Sequence, residues 1–302
     1  MDPIARAPLA VSTETAGLGN RIKSWVSAMH IGERAYVRWA VTTNMPASFG
    51  DLFVNDCTVP EVPAGATEYC SWRLAVLPED EPLLPAGFAT VGSGTHPLIR
   101  GIGKAWWNIT GRRTDRYRYM LFPKSHSRRS SRADARHIDF EYGRIPQRLR
   151  DVYVPLFRNI AVQPAIASRV AEWGAHLDAD TIGVQIRTWR DYPRRYRKYH
   201  LPAARRLAKL LDTAPSKSRF LVVSDADEVI DDLEARYGAE RVLHFPRTTP
   251  RRESYGLPEG TREDLIDMLL LARTRTLYAS YLSTFSEVAW WLGGATADVA
   301  VF

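Results

Sequence analysis

Hydrophobic positions along this chain fall into short runs broken by glycine and by charged turns, and the second half carries the clearest pattern. Ile182-Gly-Val-Gln-Ile186 and Phe220-Leu-Val-Val-Ser224 are apolar stretches of the kind a strand shows when both faces of a parallel sheet are covered. Residues 241–245 and 275–280 predict two more strands. Between them, helical periodicity predicts helices over 163–177, with Pro164 tolerated in its first turn, and over 201–211, with a Leu/Ala face. Helices are also predicted over 228–237, closed by Gly238, and over 262–272, with Leu265, Met268, Leu269 and Ala272 inward. A last helix, 287–292, follows the turn Ser283-Thr284-Phe285-Ser286. Alternating strands and helices define a doubly wound parallel sheet.

The first half opens the same way. A strand at 9–13 runs into a loop with Gly17 and Gly19, then into a helix over 21–32 whose apolar face is Ile22, Trp25, Val26 and Met29. Asn20 is positioned as its N-cap and Gly32 as its stop. A second strand at 35–41 completes a βαβ unit, which makes this half Rossmann-like. Residues 42–103 are rich in proline and glycine without periodicity and read as loops and insertions. The Ser/Arg-rich stretch 124–136 has few apolar residues and is predicted to be mobile. With 302 residues, about two domains are expected, and 151–160 is the expected crossing, giving an N-terminal domain over 1–160 and a C-terminal domain over 161–302.

Composition narrows the classes. Hydrophobic content of 45% and charged content of 25% suit a globular protein with real cores. No apolar run approaches the roughly 18 residues of a membrane span, and the N-terminus lacks a basic and apolar leader pattern, so a cytoplasmic setting is expected. Cys57 and Cys70 have neither zinc-ligand spacing nor further partners and are expected to be reduced thiols. The net charge of +7 is unevenly placed. Nine Lys/Arg between Arg112 and His137 face two aspartates, and nine between Arg187 and Lys209 face only Asp191. Such density implies a polyanionic partner, whether a nucleotide, a phosphorylated acceptor or a nucleic acid, or else a solvated basic surface.

The chemistry-bearing positions stand where strands end. Strand 182–186 stops in Arg187-Thr-Trp-Arg-Asp191, at the sheet edge where ligands bind in open α/β folds. The planar fork of a guanidinium donates two parallel bonds to phosphate oxygens; the competing reading is a strand-end arginine paired with Asp191. Gly17 and Gly19 let a backbone approach a phosphate at a helix N-terminus, or simply make a tight turn. Hydroxyls of Ser283 and Thr284 suit either a phosphate or helix capping. Asp225-Ala-Asp227 has the spacing of a cation-holding D-x-D, but capping of the next helix by Asp225 or Asp227 is the favoured reading. Glu263, Asp264 and Asp267 read as acids favoured near a helix start, with Asp267 set apart by its apolar neighbours.

Taken in order, G-L-G-N-R opening the first helix, strand-x-R-T-x-x-D, F-L-V-V-S-D and D-M-L-L-L-A…S-x-F-S resemble the fucosyltransferase superfamily. That group includes the nodulation-type and core α-1,6 enzymes, the α-1,2 enzymes and the protein O-fucosyltransferases. The resemblance covers most of the C-terminal half and about the first forty residues.

It implies a GT-B fold, with two Rossmann-like domains of parallel sheets facing a central cleft. It also implies an inverting, metal-independent transfer of L-fucose from GDP-fucose to a hydroxyl acceptor such as a glycan, with no other cofactor. By the same resemblance Arg187, with Gln185 before it, contacts the diphosphate, and Gly17 and Gly19, beside Asn20, lie at the same group. Asp267 reads the guanine edge from the cleft, Ser283 with Thr284 meets a phosphate, and Asp225 follows the middle strand. Two positions depart from the family pattern: Gln185 replaces a histidine and Arg195 an acid. Asp191 is then the candidate base by proximity to Arg187. The alternatives are a transferase using another nucleotide donor and a basic nucleic-acid-binding protein without catalysis; the family reading expects no nucleic-acid partner.

Overall fold

A computed structural model describes residues 7–70, 74–76, 121–122, 136–138, 145, 147–189, 191–280 and 283–302. Residues 112–120 of the expected basic cluster and residues 124–135 of the Ser/Arg-rich stretch lie outside the described residues. The chain divides into two compact units, one of residues 1–40 and 56–157 and the other of 41–55 and 158–302. The segment 41–55, unplaced by periodicity, thus goes with the second unit, where Phe53 bridges to Val162 and Gln163 Nε2 donates to the Gly50 carbonyl at 2.6 Å.

In the first unit, β1 (Ala7–Ser12), α1 (Leu18–Ile31) and β2 (Gly32–Val37) form the expected βαβ unit, with β1 and β2 parallel. α1 starts earlier than expected. Its N-cap is Gly17, in extended backbone, and Asn20 lies inside the first turn rather than at the cap position. The helix is fastened from within: Arg21, 1% exposed, donates to the carbonyls of Ala16, Thr15 and Ala40 and stacks on Trp39. Gly32 is the C-cap of the helix as expected, in extended backbone, and it opens β2, where an added Cβ would stand 2.7 Å from the Ala10 side chain. β3 (Thr67–Tyr69) adds to β1 on its other side, giving the order β2-β1-β3. β4 (Leu74–Val76), β5 (Leu121–Phe122) and β6 (Arg136–Ile138) form a separate antiparallel sheet, which periodicity did not reveal. α2 (Gln147–Arg158) carries Leu149, Tyr153, Val154 and Phe157 inward.

The second unit begins with α3 (Pro164–Gly174), with Pro164 in its first turn. Its sheet has five parallel strands in the order β11-β10-β7-β8-β9. These are β7 (Ile182–Ile186), β8 (Phe220–Ser224), β9 (Val242–Leu243), β10 (Thr276–Ala279) and β11 (Asp298–Val301). The two continuous apolar runs are buried at every position. α4 (Leu201–Thr213) lays Ala203, Leu207 and Leu211 on Ile182, Val184, Ile186, Phe220 and Val222, and α5 (Asp227–Tyr237) adds Ile230. α6 (Pro258–Leu271) and α7 (Thr284–Leu292) complete the unit. β9 is two residues long where five were expected, and the edge strand β11 was not foreseen.

The path of the chain places the site. It runs from β7 outward through β8 to β9, then returns to the opposite side of β7 as β10 and β11. The strand order therefore reverses between β7 and β10, and in doubly wound sheets the crevice at such a switch point takes the ligand.

Candidate functional site at the switch point

Arg187 leaves the C-terminal end of β7 and is fixed by backbone and side chain alike. Its N–H donates to Ser280 Oγ at 2.8 Å, and that hydroxyl donates to the Gln185 carbonyl at 3.0 Å. One buried serine at the end of β10 thus ties together the two strand ends that flank the reversal. Arg187 Nε lies 3.4 Å from Asp225 Oδ2, and the other oxygen of Asp225 accepts the Thr188 N–H at 2.8 Å. Asp225 therefore braces the turn after β7. It does not cap α5, whose N-cap is Ala226 without a side-chain bond. The expected pairing of Arg187 with Asp191 gives way to this one; Asp191 lies exposed beyond Trp189.

The Arg187 guanidinium also sits 4.9 Å from the Trp189 ring, and that of Arg195 sits 5.0 Å from the same ring. Trp189 has φ 58°, a left-handed backbone that is rare for a bulky residue and that concentrates at functional sites. The following helical stretch passes through a π-type turn, Tyr196–His200, before α4. Gln185 is 5% exposed, and its side-chain Oε1 has no hydrogen-bond partner.

Ser283 is the N-cap of α7: its hydroxyl accepts the Ser286 N–H at 3.5 Å, and Thr284 is the first residue of the helix. Gly17, Gly19 and Asn20 belong to the first unit, at the start of α1.

A second set of charges lies on α6. The helix begins at Pro258, so Glu263, Asp264 and Asp267 stand beyond its first turn, and the dipole explanation does not apply to them. Arg247 organises them instead. It is 4% exposed and lies 2.8 Å from Asp264, 2.9 Å from Asp267 and 3.4 Å from Glu263, and its Nη2 donates to the Gly260 carbonyl at 2.9 Å. Glu263 also accepts the Thr248 N–H and hydroxyl and the Thr249 N–H. Burial alone would raise the Glu263 pKa, but those bonds and Arg247 hold it below the usual carboxylate value. For Asp267 burial prevails over Arg247 and Arg251 and pushes the carboxyl up to about 6. Asp264 is raised by burial as well, against the pull of Arg247, Arg187 and Arg251. Asp267 is thus fully buried and anchored through Oδ2, rather than standing free at an open surface.

Arg251 completes the cluster. Its Nη1 and backbone N–H bond to the two oxygens of Asp227, both at 3.1 Å, so Asp227 serves as an arginine anchor. Arg247, Arg251, Thr188, Trp189 and Ser280 were not foreseen. Arg247 and Arg251 follow the C-terminal end of a strand in a parallel sheet, and that position was the signal that could have found them. No group of His, Cys, Asp or Glu among the described residues is placed to hold a metal ion, and no helix among them is long and apolar enough to cross a membrane. Cys57 and Cys70 are free, and burial raises the Cys57 thiol to about 11.

The comparisons that match are with solved structures. The chain is similar to NodZ α-1,6-fucosyltransferase soaked with GDP-fucose, at 22% identity and TM-score 0.50, over 95% of this chain and 93% of that one. Fucosyltransferase NodZ from Bradyrhizobium is similar at 20% identity and TM-score 0.48, over 94% and 93% of the two chains. An Arabidopsis thaliana FUT1 variant in complex with GDP gives 15% identity and TM-score 0.44, over 100% of this chain and 71% of that one. No protein-family model and no curated protein matches the chain. The fold is therefore an α/β fold with parallel sheets, similar to that of fucosyltransferase structures.

Proposed function

We propose that this protein is an inverting, metal-independent glycosyltransferase of the GT-B kind that moves L-fucose from GDP-fucose to a hydroxyl acceptor such as a glycan. The observation that carries this reading is the fixing of Arg187 at the β7–β10 reversal by Ser280 and Asp225. A guanidinium held at that crevice meets the requirement of a leaving nucleoside diphosphate. As the bond from the sugar to the β-phosphate breaks, negative charge builds on the phosphate oxygens, and a preorganised donor there stabilises the transition state more than the ground state. The Ser283–Thr284 turn at the head of α7 is the second donor group, and its N–H groups carry the positive end of the helix dipole. The similar fold of NodZ, whose structure was obtained after soaking with GDP-fucose, supports guanosine as the base and fucose as the sugar.

Asp191 is the carboxylate we assign to receive the acceptor proton, since it is exposed and follows Arg187 by four residues. The test is incubation with GDP-fucose and a panel of glycan acceptors in EDTA, with the product followed by proton NMR. Transfer with an α anomeric signal is the expected result. Turnover of UDP-sugars in preference to GDP-fucose, or loss of all transfer in EDTA, would overturn the reading.

A further inference from the structure

Two side chains in the buried cluster on α6 have unused hydrogen-bonding groups. Arg251 is 4% exposed; Asp227 occupies its Nη1, while Nε and Nη2, which form the other edge of the guanidinium, have no partner. Asp267 is fully buried; Arg247 occupies Oδ2, while Oδ1 has no partner. The two residues are close enough to act on each other electrostatically. Buried polar atoms are paired in folded proteins, and leaving one unpaired costs free energy. A buried arginine edge and a buried carboxylate oxygen, both vacant in one cluster beyond the strand ends, together describe a complement: two adjacent acceptors facing the arginine, and N–H donors facing the acid.

We propose that Arg251 is a base-specificity residue, whose Nε–Nη2 edge donates to the O6 and N7 acceptors of a guanine held by Asp267. This rests on the guanosine diphosphate reading above. Guanine carries O6 and N7 side by side, a pair that arginine meets with two parallel bonds, and it carries N1–H and the 2-amino group for a carboxylate. Adenine presents an amino donor where guanine has O6, which sets it against the arginine. Uracil has no N7. Asp227 fixes the third nitrogen of the fork, so the free edge has a set direction and little rotamer freedom to lose on binding. Asp264, Asp267 and the Gly260 carbonyl take both terminal nitrogens of Arg247, which leaves Arg251 as the arginine of the pair with an unpartnered terminal nitrogen.

The test alters ligand atoms first, so that it needs no variant. Calorimetry on the full chain compares GDP, 7-deaza-GDP, IDP and ADP. The expected result is that wild-type protein binds 7-deaza-GDP roughly tenfold or more weakly than GDP. IDP, which lacks only the 2-amino group, should also bind more weakly through Asp267, and ADP more weakly than either. Arg251→Met should bind GDP and 7-deaza-GDP equally, since the partner of N7 is gone. Wild-type binding of GDP and 7-deaza-GDP with the same affinity, or an R251M protein that still discriminates them, overturns the role of Arg251 while leaving the diphosphate reading intact. Failure of the wild-type protein to bind GDP at all overturns both.

Discussion

Arg247 is a buried point of failure in the second unit, because three carboxylates pair with it. Replacing it with Met keeps much of the apolar stem and removes the charge. Asp267, 0% exposed, would lose the cation it bonds without gaining water; Glu263, also 0% exposed, would keep as cationic partner only its 3.5 Å contact with Arg169; and the partly buried Asp264 would lose its 2.8 Å partner. Removing one partner of a buried ion pair costs about 3–5 kcal/mol. For a unit of this size each kcal/mol lowers the Tm by roughly 2–4 °C, so the loss should be ~6–20 °C at pH 8.

The pH dependence gives a sharper check. The Asp267 pKa in the fold is about 6, above the ordinary value of 3.8, so the folded state holds the proton more tightly than the unfolded chain. Its contribution is therefore most favourable below about 4 and is lost as pH rises towards 6. Without Arg247 the folded pKa rises further and the window extends upward. Glu263 has the opposite sign, being lowered in the fold, but keeps its Thr248 and Thr249 bonds in the variant. Thermal unfolding followed by circular dichroism at pH 5, 6.5 and 8 should show the deficit of Arg247→Met shrinking as pH falls. A deficit under about 3 °C at pH 8, or one equal at pH 5 and pH 8, would refute the reasoning.

Other consequences follow from single contacts. Ser280→Ala leaves the Arg187 N–H without its acceptor and should cost about 1–3 kcal/mol in urea unfolding, together with weaker GDP binding; an unchanged midpoint would contradict the bracing role. Gly260→Ala would place a Cβ 2.4 Å from the Ser254 Cα and 2.6 Å from its carbonyl oxygen. Because that contact is backbone, melting should show a loss of about 1–3 kcal/mol, and an unaltered Tm would show that the 254–260 segment gives way freely. Asp267→Asn should flatten the change in stability between about pH 4 and pH 6, read by the same melts.

Some of this was legible in the sequence, for identifiable reasons. β7 and β8 declare themselves because a strand covered on both faces must be apolar at successive positions, and Ile182–Ile186 and Phe220–Ser224 are. α7 was legible from its N-cap serine, and the βαβ start from the periodicity of α1. Short elements were read less well: β9 was expected, but as five residues rather than two, and the antiparallel strands β4, β5 and β6 have two or three, too few to establish a period. Within the site, Arg187 was read from its place after a strand. Its partners were misassigned because sequence proximity favoured Asp191, whereas strand pairing brings Asp225, 38 residues away, alongside it. Likewise Asp267 stood out among apolar neighbours, but Arg247 became visible only once the loop after β9 was folded back onto α6.

The central claim is that Arg187 at the β7–β10 reversal holds a nucleoside diphosphate, and calorimetric titration of GDP into wild-type and Arg187→Ala protein tests it most directly. One charge-assisted bond corresponds to about 1.5–3 kcal/mol, so the variant should bind GDP about tenfold to more than a hundredfold more weakly in EDTA, with an unchanged circular dichroism spectrum. A folded Arg187→Ala protein that binds GDP as tightly as wild type would contradict the account.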